Sequence, residues 1–213
     1  MKYAGIIFDL DGVICSTDEY HYQAWKALAD RLGIEFDRTI NNRLRGVSRM
    51  ESLEIVLEKS TAAYSAQEKA AFATEKNDLY RELLHQMSEK DLSDEVKDTL
   101  CALREMGIKL AIGSSSKNTP FILERLGLAD FFDAIADGNC ITHSKPHPEV
   151  FLKAADMIAL DPSVCLVVED AKAGVSAAAA GGFDCAAIGD AKDDPRAKWH
   201  LDGFADLLKS VNA

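Results

Sequence analysis

Near the start of the chain an apolar run, Tyr3 to Phe8, breaks off into Asp9-Leu10-Asp11-Gly12. Two carboxylates stand two residues apart, beside a glycine that permits a sharp turn. A carboxylate can attack phosphorus and form a covalent intermediate, and a second one nearby can give or take a proton. Three other places carry groups that suit the same chemistry: Ser114-Ser115-Ser116, Lys145 ahead of Pro146, and Glu169-Asp170. In a parallel sheet the carboxyl ends of neighbouring strands share one mouth, where ligands collect. Four carboxylates there cannot all stay ionised unaided, since a like-charge pair at about 4 Å costs roughly 4 kcal/mol at an effective dielectric of 20. A hard divalent cation with oxygen ligands relieves this, and Mg²⁺ is the natural choice beside phosphate. Lys145 adds a positive charge and the serines add neutral donors for phosphoryl oxygens, so phosphoryl transfer is the expected reaction. Spacing alone leaves open which aspartate attacks.

The elements that must position these groups are legible in the hydrophobic pattern. Tyr3 to Phe8 has strand length and the continuous apolar character of a strand covered on both faces. From about Thr17 to Ser88 the pattern is helical. Trp25, Leu28, Ala29 and Leu32 recur at helical spacing before Gly33, and Ser48-Arg49-Met50-Glu51 and Ser65-Ala66-Gln67-Glu68 read as capping boxes. From residue 89 onward, helices and strands alternate. Strands are expected at Ile108 to Ile112, Ala134 to Ala136, Val164 to Val168 and Asp184 to Ile188, with Asn118 and Pro148 opening two of the intervening helices. The fold class is therefore α/β: a Rossmann-like core with a parallel sheet and an inserted all-helical block. Residues 1–15 and 89–213 form the core, and 16–88 the insertion. The stretch from about Ala191 to Trp199 is polar and poorly patterned.

With 24 basic against 35 acidic residues, the net charge of −11 argues against nucleic acid and anionic membrane as partners. No run of about 18 apolar residues and no signal peptide is evident. The five cysteines include no CxxC pair and several sit in apolar runs, so buried, reduced thiols and a cytoplasmic location are expected. The chain is expected to act as a monomer.

Asp9-Leu10-Asp11-Gly12-Val13, Ser114, Lys145 and Glu169-Asp170, in that order, resemble the four motifs of the haloacid dehalogenase superfamily. That resemblance implies Asp9 as nucleophile and Asp11 as general acid/base. It implies Mg²⁺ held by the Asp9 side chain, the Asp11 carbonyl, Glu169 and Asp170. A closer similarity, to the β-phosphoglucomutase family within it, is carried by Glu19-Tyr20-His21, Ala24-Trp25-Lys26-Ala27-Leu28-Ala29, Gly46-Val47-Ser48-Arg49, Lys76-Asn77-Asp78, Ser116-Lys117-Asn118, Phe131 to Asp137 and Ser144-Lys145-Pro146. It implies a helical cap over the site and a sugar phosphate substrate with a sugar bisphosphate intermediate. A second phosphate would be gripped by Arg49 with Ser116, Lys117 and Asn118. Thr17 and His21 would form a hinge that gates Asp11, and Lys76 would face the site. Trp25 would pack in the cap, with one edge toward the sugar. The chain departs from the pattern at Ser16, Arg45, Ala171 and Ser93-Asp94-Glu95, none of which removes a catalytic group.

Each piece taken singly has a plainer reading. Asp9 and Asp11 could form a polar turn, Glu169-Asp170 an acidic helix start, Lys145-Pro146 a surface turn, and Arg49 or Lys76 a solvated helix position. Three functions fit the ordered set: a phosphomutase, a magnesium-dependent sugar-phosphate phosphatase, and a silent sugar-phosphate sensor. Cations at both ends of the substrate would favour the mutase, because a bisphosphate must be held by either end.

Overall fold

The structure, a computed structural model, describes residues 2–212. Six parallel strands run β1 (Gly5–Phe8), β2 (Lys109–Gly113), β3 (Ala134–Ala136), β4 (Cys165–Glu169), β5 (Asp184–Ala187) and β6 (Trp199–His200). Their order across the sheet is β3-β2-β1-β4-β5-β6. The opening strand thus lies inside the sheet, with Phe8 level with Ile112 on one side and Val168 on the other. That register brings the ends of β1, β2 and β4 to one edge.

Strand residues alternate between two apolar layers, as the period of two requires. Ile6, Phe8, Leu110, Ile112, Leu166 and Val168 pack on one side with α5 (Asp94–Glu105), α6 (Thr119–Arg125) and α9 (Leu207–Asn212). Ile7, Ala111, Cys165 and Val167 face the other side, against α7 (Glu149–Met157) and α8 (Lys172–Ala180).

Between β1 and α5 come four helices: α1 (Asp18–Arg31), α2 (Arg38–Asn42), α3 (Arg49–Leu57) and α4 (Ala66–Leu84). They bury an apolar cluster of their own around Trp25, Leu28, Phe36, Leu53 and Val56. Both capping boxes form. Ser48 and Ser65 open α3 and α4, and Glu51 and Glu68 return a carboxylate to the cap N–H at 2.9 and 2.8 Å. Each such cap contributes about 1 kcal/mol to its helix. The far end of α4 turns inward, where Tyr80, Leu84 and Met87 join the core layer beneath the sheet.

The structure refines several expectations. The stretch from Ala191 to Trp199 is ordered: β6 pairs with β5, and Trp199 Nε1 donates to Tyr3 Oη at 2.9 Å, which donates to Asp184 at 2.7 Å. A two-residue strand has no period to read, and side chains hold this one in place. β4 begins at Cys165 because Asp161 and Pro162 wind the preceding residues into a 3-10 turn. Asn118 occupies the cap position of α6, but its side chain donates to Asn77 Oδ1 at 2.9 Å and accepts no bond from the helix start. All five cysteines are free, yet Cys101 and Cys140 are exposed, Cys101 on the outer face of α5. Among the described residues, no helix is long and apolar enough to cross a membrane.

Candidate active site

Asp9 leaves the sheet directly after β1, its N–H still bonded to Val168 O at 3.0 Å. The chain then coils so that Leu10, Val13 and Ile14 point into the core while Asp9 and Asp11 face a cavity. Gly12 makes the coil possible, with φ of 81°. A Cβ there would lie 2.0 Å from Asp170 Oδ2, so only glycine lets the β1 and β4 loops meet.

Lys145 reaches the same point through the loop after β3, where the Lys145–Pro146 peptide is cis. Its ammonium is fully buried, bonded to Asp9 Oδ1 and, at 2.5 Å, to Glu169 Oε1. Burial alone would push its pKa down. Asp9 and Glu169 outweigh burial and hold it above the usual lysine range. Glu169 Oε2 accepts the Ala171 N–H at 2.9 Å. Both oxygens of Glu169 are therefore committed to protein donors, and α8 packs Gly174 hard against them, where a Cβ would sit 1.7 Å from Oε1.

Asp170 is buried too. Burial, with Asp9 and Glu169 nearby, pushes its pKa up to about 8, although Arg45 lies 3.9 Å away. Asp9 and Glu169 thus share one buried ammonium, and Asp170 has only Arg45 at 3.9 Å, which leaves the three carboxylates short of positive charge. Asp9 and Asp170, with the Asp11 carbonyl, offer only hard oxygen donors, so this donor set fits Mg²⁺, which takes one or two carboxylates and completes its shell with water and phosphate. Glu169, also expected as a ligand, lies beside this set, bonded to Lys145 and to the Ala171 N–H.

Asp11 is turned aside. Its Oδ1 accepts from the Thr17 N–H at 2.9 Å and from the Thr17 hydroxyl. Burial raises its pKa to about 6 against those bonds, with Asp9 adding to the rise. A carboxyl poised there suits a general acid/base near neutral pH. Tyr80 Oη donates to Thr17 Oγ1 at 2.9 Å and its ring stacks on His21 at 4.0 Å. His21 Nε2 is 3.9 Å from Asp11 Oδ2.

The helical block supplies the opposite wall. Lys76 is buried with its Nζ 2.7 Å from His21 Nδ1, and 4.8 and 4.4 Å from the Trp25 and Tyr80 ring centres. Burial, then the nearby Arg49, holds its pKa well below the usual lysine range. Burial and the cations of Lys76 and Arg49 also hold His21 well down. Among the described residues, neither Lys76 nor Arg49 pairs with a carboxylate. On the core side, Ser114 Oγ and Ser116 Oγ each accept a backbone N–H of their own loop at 3.2 Å, while Ser115 Oγ is buried with no hydrogen-bond partner. Such an orphaned hydroxyl marks a place for a ligand oxygen.

Both walls enclose one cavity of about 500 Å³. Every residue expected at the site lines it, including Gly46, Val47 and Ser48, except Thr17, which lies buried behind Asp11. The sequence reading missed three contributors. Tyr80 lies at a helically spaced position of α4, and nothing in that spacing reports its hydroxyl bond to Thr17. Gly174 sits in a run of small residues whose purpose is close approach to Glu169. Arg45 bonds Asp18 at 2.9 Å and Asp190 at 2.7 Å, linking the helical block to the core.

The comparisons agree with this geometry. Residues 3–182 match the haloacid dehalogenase-like hydrolase family. The chain is 42% identical over 186 residues to the β-phosphoglucomutase of Bacillus subtilis, covering 86% of this chain and 82% of that one. It is 33% identical over 184 residues to fructose-1-phosphate phosphatase YqaB of Escherichia coli, covering 86% and 95%. The crystal structure of β-phosphoglucomutase from Clostridium difficile superposes with a TM-score of 0.92 at 36% identity, over 99% of this chain and 96% of that one. From motifs, sheet order and similarity together, the chain belongs to the haloacid dehalogenase-like hydrolase family.

Proposed function

We propose that this enzyme is a β-phosphoglucomutase, interconverting β-D-glucose 1-phosphate and D-glucose 6-phosphate through an aspartyl-phosphate and β-D-glucose 1,6-bisphosphate. The observation that carries this reading is the second cationic pole. Arg49 and Lys76 line the cavity without carboxylate partners among the described residues, and the Asp9–Lys145 pair lines it too. A phosphatase needs one phosphate site, whereas a mutase must hold a bisphosphate by either end.

Asp9 Oδ attacks phosphorus, and the bond from phosphorus to the departing sugar oxygen breaks. Asp11, once freed from Thr17, gives its proton to that oxygen. In the return step the other sugar hydroxyl loses its proton to Asp11 and attacks the phosphoryl group on Asp9. Lys145 and Ser114 offset charge on the phosphoryl oxygens. Asp9, the Asp11 carbonyl and Asp170 would hold Mg²⁺, which supplies Lewis-acid stabilisation of the transferring group. Residues 16–88 act as the cap, with Trp25 and Gly46 to Arg49 facing the sugar, and its closure excludes water that would hydrolyse the aspartyl-phosphate. Five free cysteines support a cytoplasmic location, and the scattering of its few exposed large apolar side chains supports a monomer.

The test is a panel of sugar phosphates with Mg²⁺ and trace bisphosphate, scoring isomer and inorganic phosphate together. Glucose 6-phosphate forming faster than phosphate is released is expected. Phosphate release outpacing isomerisation would favour the phosphatase reading, which the similarity to the Escherichia coli phosphatase supports. A silent sensor would give neither product.

A further inference from the structure

The loop that brings Lys145 into the core has a second face, turned away from the cavity. His143 and His147 flank the lysine and are both exposed, and Glu149 follows in the first turn of α7. One donor atom from each of the three lies within 4.8 Å of the others. His143 Nδ1 is 3.2 Å from Glu149 Oε2, the two imidazole centres are 4.7 Å apart, and His147 Nδ1 accepts the Glu149 N–H at 3.3 Å. None of the three lines the catalytic cavity.

We propose that His143, His147 and Glu149 form a binding site for a divalent first-row transition ion, zinc foremost, with water completing the coordination. Two imidazoles and a carboxylate suit zinc, copper or nickel, whereas Mg²⁺ prefers an all-oxygen shell. Zinc bonds of about 2.0–2.1 Å to nitrogen and oxygen place tetrahedral ligand atoms about 3.4 Å apart. The His143–Glu149 contact already matches that spacing, and rotation of exposed side chains closes the rest.

The carboxylate is already oriented. Glu149 oxygens accept the Thr142 and His143 N–H groups at 3.0 and 2.8 Å, the kind of outer support that fixes a metal ligand. Those N–H bonds hold its pKa down at about 2, so it is ionised wherever the imidazoles are neutral. Among the described residues, the one lysine or arginine facing it is Lys153, 3.5 Å from Oε1, on the side away from His143. A bound ion would fasten both flanks of the Lys145 segment to the start of α7.

The test is calorimetric titration of the full, chelator-treated chain with zinc chloride at pH 7.5 with Mg²⁺ saturating, so that the carboxylates around Asp9 are occupied. One equivalent of zinc is expected to bind. His143→Gln and His147→Gln should each weaken it by more than the roughly 10- to 100-fold that loss of an outer-shell partner costs, while Asp9→Asn leaves it unchanged. Both histidines are exposed, so metal-free melting curves of the two variants should overlay that of the parent. Absence of zinc binding under Mg²⁺, binding that survives both histidine variants, or binding lost only in Asp9→Asn would each overturn the proposal.

Discussion

Two buried lysines face one cavity from opposite walls, and their surroundings are opposite. Lys145 in the core is clasped by Asp9 and Glu169 and is held charged. Lys76 in the helical block meets a histidine and two aromatic rings, and its burial works against the charged form. Buried ammonium groups are costly unless paired. The first lysine therefore completes a self-contained charge group, and the second belongs to a group that is complete only with an incoming anion. On the proposed reading, a fixed charge would serve the reacting phosphoryl group at every turnover, whereas an unpaired one would gain most when a ligand phosphate arrives.

The largest effect should follow from breaking the core group at its nucleophile. Asp9→Asn is expected to cut turnover by on the order of 10⁴-fold or more, as loss of a catalytic nucleophile does elsewhere, read as glucose 6-phosphate formed. Activity near the parent level would place the nucleophile elsewhere. Next, Lys145→Ala leaves two buried carboxylates facing each other. It should lower unfolding free energy by about 3–5 kcal/mol in metal-free urea titrations, and a negligible loss would mean the core lysine is no more committed than the cap one.

On the opposite wall, Arg49→Ala should spare transfer to Asp9 from a small phosphoryl donor. It should weaken bisphosphate use by about 1.5–3 kcal/mol, the worth of a charged hydrogen bond, seen as a raised KM. Unchanged mutase kinetics would end the two-pole account. The smallest effect is in pH dependence. Because the folded pKa of Lys76 lies below its unfolded value near 10.4, the unfolded chain binds the extra proton. Stability should therefore rise with pH between those two values, by at most about 1.4 kcal/mol per unit. Lys76→Met should flatten that slope in urea midpoints taken across the alkaline range, and an unaltered slope would show that burial does not discharge Lys76.

The core group is largely legible in the sequence, because its residues follow strands whose apolar runs announce them and whose parallel order brings their ends together. Asp9, Lys145 and Asp170 needed only that reasoning. The helical wall was legible through resemblance more than through physics: Lys76 is one of two lysines on α4, and nothing in its spacing reports that it is buried against Trp25 and His21. Glu169 illustrates the opposite limit. Its bond to Lys145 depends on a rotamer and on the closeness of Gly174, neither of which a sequence pattern contains. The strand at Trp199 was invisible because a tyrosine hydroxyl almost two hundred residues earlier secures it.

Asp11 and Thr17 lie on the few residues by which the chain passes from sheet to helices, and the bond between them spans that passage. Any swing of the helical block about its root must disturb the oxygen that Thr17 occupies. In the arrangement seen here the acid is tethered by Thr17. On the proposed reading, the chain's own joint would keep Asp11 from serving a stray water until the helical block moves.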